Sequence, residues 1–466
     1  MPQKWWVLAS VACGTFMATL DSSIVNIALP TLTKELGTDL NQIKWTVIIY
    51  LLVITCTLLP FGRLSDIYGR KKVFQFGFFI FTLGSTLCGF SSTLSGLILF
   101  RAIQAVGASM LMANGPAIIT STFPASERGA ALGTMAMVVS GGLISGPSVG
   151  GVLITQLGWQ SIFWVNLPIG LIGLLLVFKK VVKDPRPAER EPFDWVGAFL
   201  QTAFLLSFIV LFDPPVVSVS GSQNFPIPTW LVAIITAIIG AVFIKVESEA
   251  KAPLLDLSLL KNRTFWTAIL ASFMTFVAFS SVSVLMPFFL EEILHLPPHK
   301  AGIFMTAIPF AIFIVAPISG RLSDRLGSHG LSFSGAMIGC ITLFVMAGAF
   351  GLGLHENTTH FGIILVLAAV GISIGMFQSP NNNAIMGAVP IQKLGVASAL
   401  LATVRNLGMV SGTGMATGLF TYQFSKTGNF VGSMHFALYA AALTGIGASI
   451  ASLGKQRGPE RRKVER

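Results

Sequence analysis

Residues 62–72 read GRLSDIYGRKK, and residues 320–330 read GRLSDRLGSHG. Two further echoes follow in the same order. GASMLMANGP (107–116) matches GISIGMFQSP (371–380) at Gly, Met and Pro, and residues 124–129 resemble residues 390–395. Short matches arise by chance in apolar sequence, but three in one order mark a parallel internal duplication. The duplicated unit holds six long apolar runs. A polar, proline-containing stretch, KKVVKDPRPAEREPFDW (179–195), leaves six runs before it and eight after, so two extra runs (about 195–245) lie between the copies.

Composition sets the environment. The 466 residues are 53% hydrophobic and only 11% charged, too little charge to cover a soluble protein of this length. A membrane-spanning helix needs about 20 mostly apolar residues, and fourteen such runs lie between residues 5 and 454. The expected fold class is therefore an all-α polytopic membrane protein of two six-helix bundles plus two inserted helices. The expected divisions are 1–178 (first bundle), 179–263 (linker and insertion), 264–454 (second bundle) and 455–466 (basic tail). The first run is too long for a cleaved signal peptide, carries Asp21 and lacks a small-x-small cleavage site, so it reads as the first spanning helix.

The net charge of +11 is an orientation signal. With the N-terminus placed in the cytoplasm, 24 Lys and Arg fall on that side. Only Lys34, Lys44, Lys300 and Lys426 fall opposite. This positive-inside bias puts both termini in the cytoplasm of a cell-membrane protein and argues against nucleic acid as the partner; tail contacts to anionic lipid are a lesser reading. Three formal charges remain well inside spans: Asp21, Arg101 and Arg405. The four cysteines sit in apolar runs without metal-ligand spacing and read as small buried side chains.

GRLSDIYGRKK resembles the signature between the second and third helices of the major facilitator superfamily. LDSSIVNIALP (20–30) looks like the first-helix motif of drug:proton antiporters, and RAIQAVGAS (101–109) like their fourth-helix basic motif. SGGLISGPSVGG (140–151) resembles their fifth-helix motif, and LGWQSIFWVNLPIG (157–170) the segment entering helix six. With fourteen spans the resemblance narrows to the fourteen-span, EmrB/QacA-like drug:proton antiporters. That resemblance implies the major facilitator fold and a secondary transporter, not an enzyme, that exports lipophilic compounds in exchange for protons by alternating access. It also implies a small lipophilic substrate, protons and membrane lipid as partners, a monomer, and no cofactor beyond the proton gradient.

The motif residues also read on their own chemistry. Gly62 and Gly69 allow a tight turn and close helix approach. Asp66 is placed to pair with Arg70 or to accept from the N-terminus of a neighbouring helix. With Asp324 in the second copy, these residues form a candidate conformational latch. The alternative is an ordinary positive-inside turn, the reading taken for Lys71 and Lys72. Gly142, Gly146, Pro147 and Gly151 are expected to bend their helix and form a close-packed seam. Packing alone explains the glycines; a hinge or leak-sealing role comes from the resemblance.

A charge at the bilayer centre costs roughly 2.5–3.5 kcal/mol on insertion scales, so Asp21 should face the bundle interior with a partner. At 1.5 Å per residue, Asp21 and Arg101 lie about 13 Å and about 9 Å from the same face. Arg101 is then the counter-ion, with Gln104 one turn deeper on the same helix face. Desolvation favours the protonated acid and the guanidinium favours the ionised one, so access or substrate can tip the balance. Asp21 and Arg101 are the expected proton-coupling pair; a purely structural ion pair is the alternative. Asn26, Gln104, Gln378 and Arg405 are the polar candidates for a substrate cavity. For Asn26 and Gln378 the alternative is a helix–helix hydrogen bond. For Arg405 the options are facing Asp21, binding backbone carbonyls or contacting an anionic substrate.

Other signals fail on geometry. In LHENTTH (354–360) the histidines are five apart in a polar outer loop, so the helical i, i+4 geometry of a zinc site fails; His295 and His299 have that spacing but flank Pro297 and Pro298, which break the helix. No P-loop occurs, and the sugar-transporter signatures PESPR and PETKG are absent. An importer, or an exporter of a specific lipid or metabolite, remains the rival on this fold. A membrane sensor or embedded enzyme would need a soluble domain or a catalytic constellation that these loops do not supply.

Overall fold

A computed structural model describes residues 3–38, 40–43, 45–181, 192–212, 216–219, 223–226, 229–250, 253–296, 298–351 and 360–454. Most of the 179–195 linker, residues 354–359 and the 455–466 tail lie outside the described residues. In hydrocarbon no water can satisfy the backbone, so each apolar run closes its hydrogen bonds within itself and becomes a helix. The long helices are α1 (Gln3–Glu35), α2 (Trp45–Tyr68), α3 (Arg70–Gly89), α4 (Leu94–Thr122), α5 (Arg128–Leu157) and α6 (Asn166–Lys180). The inserted pair is α7 (Trp195–Phe212) and α8 (Thr229–Glu249). The second copy supplies α9 (Arg263–Phe288), α10 (Ala307–Leu326), α11 (Ser328–Gly351), α12 (His360–Gly387), α13 (Leu394–Thr427) and α14 (Phe430–Leu453).

Among the described residues thirteen helices are long and apolar enough to cross a membrane; the apolar part of α7, Trp195–Leu211, falls just short in length. The chain is thus an all-helical, multi-pass membrane protein. One local feature departs from helix: between α7 and α8, β1 (Val216–Val219) and β2 (Gln223–Pro226) pair antiparallel, Val216 opposite Pro226.

The described chain forms two compact units. One is made of the described residues within 1–122, 141–257 and 390–403; the other of those within 123–140, 258–389 and 404–454. In the first unit α4 packs along α2 and α3. Gly84 allows the α3 approach: a Cβ there would stand 2.6 Å from the Gln104 nitrogen. That close seam brings α4 residues 101–104 into the bundle interior. Around it lies an apolar cluster including Ile24, Leu32, Cys88, Leu97, Trp159 and Phe163. In the second unit α10 packs on α12 and α11 on α14, and a Cβ on Gly335 would meet the Phe377 nitrogen at 2.6 Å.

Candidate functional site

Asp21 of α1 is fully buried and is met from two other helices. Its Oδ2 accepts from Arg101 Nη1 at 2.5 Å, and its Oδ1 accepts from Gln104 Nε2 at 2.8 Å and Asn166 Nδ2 at 3.2 Å. The i, i+3 spacing on α4 puts Arg101 and Gln104 side by side, and Arg101 Nη1 also donates to Gln104 Oε1 at 2.7 Å. Arg101 Nε donates to the Thr46 carbonyl at 3.1 Å, and its guanidinium lies 4.0 Å from the Tyr50 ring centre. Tyr50 in turn donates to the Ala18 carbonyl. The carboxylate is therefore held by one charged and two neutral donors, which makes the burial of both charges tolerable.

The structure brings Asp21, Arg101 and Gln104 together. Gln104, with no exposed surface, is bonded into this network. Sequence reasoning missed Asn166, Thr46, Tyr50 and Ser85, whose Oγ accepts from Asn166 Nδ2 at 3.0 Å. Asn166 had a legible signal: it is the lone side-chain amide in the apolar run 161–178. Its Oδ1 is buried without a partner.

The two GRLSD copies build matching devices. Asp66 accepts from the backbone N–H groups of Gly395 and Val396, both at 3.0 Å, at the start of α13. Asp324 accepts from Gly129 and Ala130, both at 2.8 Å, at the start of α5. Each carboxylate thus satisfies two orphan donors at the positive end of a helix dipole. Arg70 pairs with Asp66 at 3.1 Å and also donates to the Ile391 carbonyl, so both options read for Asp66 are realised at once. Gly62 permits the contact, since a Cβ there would stand 2.5 Å from Ala399 Cβ and 2.7 Å from the Gly395 oxygen. Gly69, at φ +96°, turns the chain from α2 into α3, a conformation that favours glycine. Lys71 is more than a loop charge: its Nζ donates to the carbonyls of Phe178 at 3.0 Å and Val181 at 2.6 Å at the end of α6.

On α5 the seam differs in one position from expectation. Gly142 and Gly146 face Thr19 and Ser23 of α1, and Gly150 faces Ile24, where a Cβ would stand 2.7 Å from Cγ1. Gly151 faces open space, with nothing within 4 Å of such a Cβ. The face is set by steps of four (142, 146, 150), and residue 151 sits about 100° further round the helix. Pro147 lies within α5, which runs as one helix through it.

The remaining candidates are dispersed. Asn26 is exposed and donates to the Ser22 carbonyl of its own helix, with no helix–helix bond among the described residues. Gln378 is half-buried and has no hydrogen-bond partner among the described residues. The Arg405 guanidinium lies 5.6 Å from the Phe276 ring centre, with neither an acid nor a carbonyl partner among the described residues.

A duplicated helical bundle with a buried carboxylate–arginine centre and paired helix-capping aspartates defines a polytopic transporter. Residues 11–413 match the Major Facilitator Superfamily, and the chain belongs to that family. It is 37% identical to the riboflavin transporter RibZ of Clostridioides difficile over 458 residues, 97% of this chain and 96% of that protein. It is 29% identical to the multidrug resistance protein Stp of Mycobacterium tuberculosis, covering 87% of this chain and 74% of that protein. The crystal structure of the human organic anion transporter MFSD10 superposes with a TM-score of 0.68 at 12% identity, covering 97% of this chain and all of that one, a likeness of fold.

Proposed function

We propose that this major facilitator protein is a proton-coupled antiporter of the fourteen-span drug-exporter group. It expels lipophilic compounds across the cell membrane, with both termini in the cytoplasm, working as a monomer on the proton gradient alone. The observation that carries the reading is Asp21, a fully buried acid held by Arg101, Gln104 and Asn166. This shell suits both protonation states. The ionised acid takes three donors; the protonated acid can itself donate to Gln104 Oε1, or to Asn166 Oδ1 once that amide turns. Arg101 stays cationic throughout, so protonating Asp21 switches the centre from neutral to positive. In this reading a proton enters from the outside-open state, and substrate binding with inward opening favours its release.

The test uses purified protein in sealed proteoliposomes under an imposed pH gradient, with a panel of dyes, antibiotics and lipids. Wild type should accumulate substrate against its gradient, and Asp21→Asn, folded by its melting profile, should not. Gradient-driven accumulation by Asp21→Asn would refute the proton role. The likeness to RibZ favours a second reading, in which the cargo is a flavin. Riboflavin in the same panel, loaded on either side, separates the two by cargo.

A further inference from the structure

The base of the inserted helix pair holds two acids that the transport centre does not use. Asp194 stands at the N-terminus of α7, where its Oδ1 accepts from the Gly197 N–H at 2.8 Å. Glu247, in the last turn of α8 and 2% exposed, accepts from the Leu255 N–H at 3.1 Å through its Oε2. Each carboxylate thus commits one oxygen to a backbone donor. The other two oxygens, Asp194 Oδ2 and Glu247 Oε1, are buried without a hydrogen-bond partner. They converge: the space over Gly197 is walled by both, so that a methyl group there would overlap the two. One turn further along α7, on the face of Gly197, Gln201 is 3% exposed and leaves both amide atoms without a partner.

We propose that Asp194 and Glu247 form a second proton-binding site, a carboxyl pair sharing one proton that closes the base of the inserted helices. Two ionised carboxylates cannot face each other away from water, whereas an acid and a carboxylate can, through one short O–H···O⁻ bond. The α7 dipole favours negative charge at its N-terminus. The proton therefore sits on Glu247 Oε1 and is donated to Asp194 Oδ2. Besides Asp194, the groups acting on Glu247 are the Leu254 and Leu255 amides and the guanidinium of Arg63 from α2. Losing the proton leaves two facing anions and pushes the start of α7 from the end of α8. The insertion then acts as a proton-operated clasp beside the segment that begins at Gly62. This proposal is independent of cargo and of Asp21.

The experiment is infrared spectroscopy of the full-length protein in detergent, reading the carboxylic-acid C=O band across a pH titration. Wild type should show a protonated-carboxyl band at neutral pH that disappears as pH rises, and Asp21→Asn should keep it. Glu247→Gln and Asp194→Asn should each lose it at neutral pH. A shared proton leaves when either partner becomes neutral, whereas an isolated buried Glu247 would keep its band in Asp194→Asn. The proposal is overturned by a wild type without the band, by a band unchanged in Glu247→Gln, or by one retained in Asp194→Asn. A wild type without the band overturns the proposal with no variant needed, even if the substitutions impair folding.

Discussion

Asp66 and Asp324 occupy matching places in the two copies of the duplicated unit, and each accepts two backbone N–H groups at the start of a helix. The buried centre has no such twin. The register that aligns Gly107 with Gly371 puts Leu365 where Arg101 stands and Ala368 where Gln104 stands, and Leu365 is an exposed apolar side chain. Both copies therefore keep the device that holds a helix end, which depends on backbone geometry and one acid. Only the first copy carries the charged centre, which needs an acid from one helix and donors from two others at once. Even the shared device is uneven. Asp66 has the cation Arg70 beside it at 3.1 Å, while the side-chain donor to Asp324 among the described residues is the neutral Asn383 at 3.4 Å.

Replacing Arg101 by the second copy's residue is the harshest test of this contrast. Arg101→Leu strands Asp21 as a buried anion and should cost about 3–5 kcal/mol, read as a large drop in melting temperature in detergent. A wild-type melt would mean the centre is not the anchor it is taken to be. Next come the two latches. Asp66→Ala and Asp324→Ala each strand two backbone donors, a loss of about 1–3 kcal/mol. Asp66→Ala should be the more damaging, because it also deprives buried Arg70 of its anion; equal losses would show that Arg70 adds nothing. Gly146→Ala pushes a methyl into Ser23 and should cost about 1 kcal/mol, while Gly151→Ala should change the melt by no more than about 0.5 kcal/mol. The smallest effect belongs to the other intramembrane arginine. Arg405→Ala forfeits only a ring contact, about 0.5–1 kcal/mol, in sharp contrast to Arg101.

The sequence alone determined the helical class, the duplication and the depth match of Asp21 and Arg101. Hydrocarbon forces each apolar run to bond within itself, and helix rise converts residue counts into depth. Helical period also held the correct α5 face, although the motif ending at Gly151 pointed one residue past it. Tertiary structure alone decided who shares the charge. Asn166, Tyr50 and Thr46 reach the centre from helices up to 145 residues away in the chain, and rotation about a helix axis is set by its neighbours. The same holds for Asp194 and Glu247, which read as separate ends of two inserted helices until packing over Gly197 set their oxygens together. Depth is a property of one strand of sequence; adjacency belongs to the packed bundle.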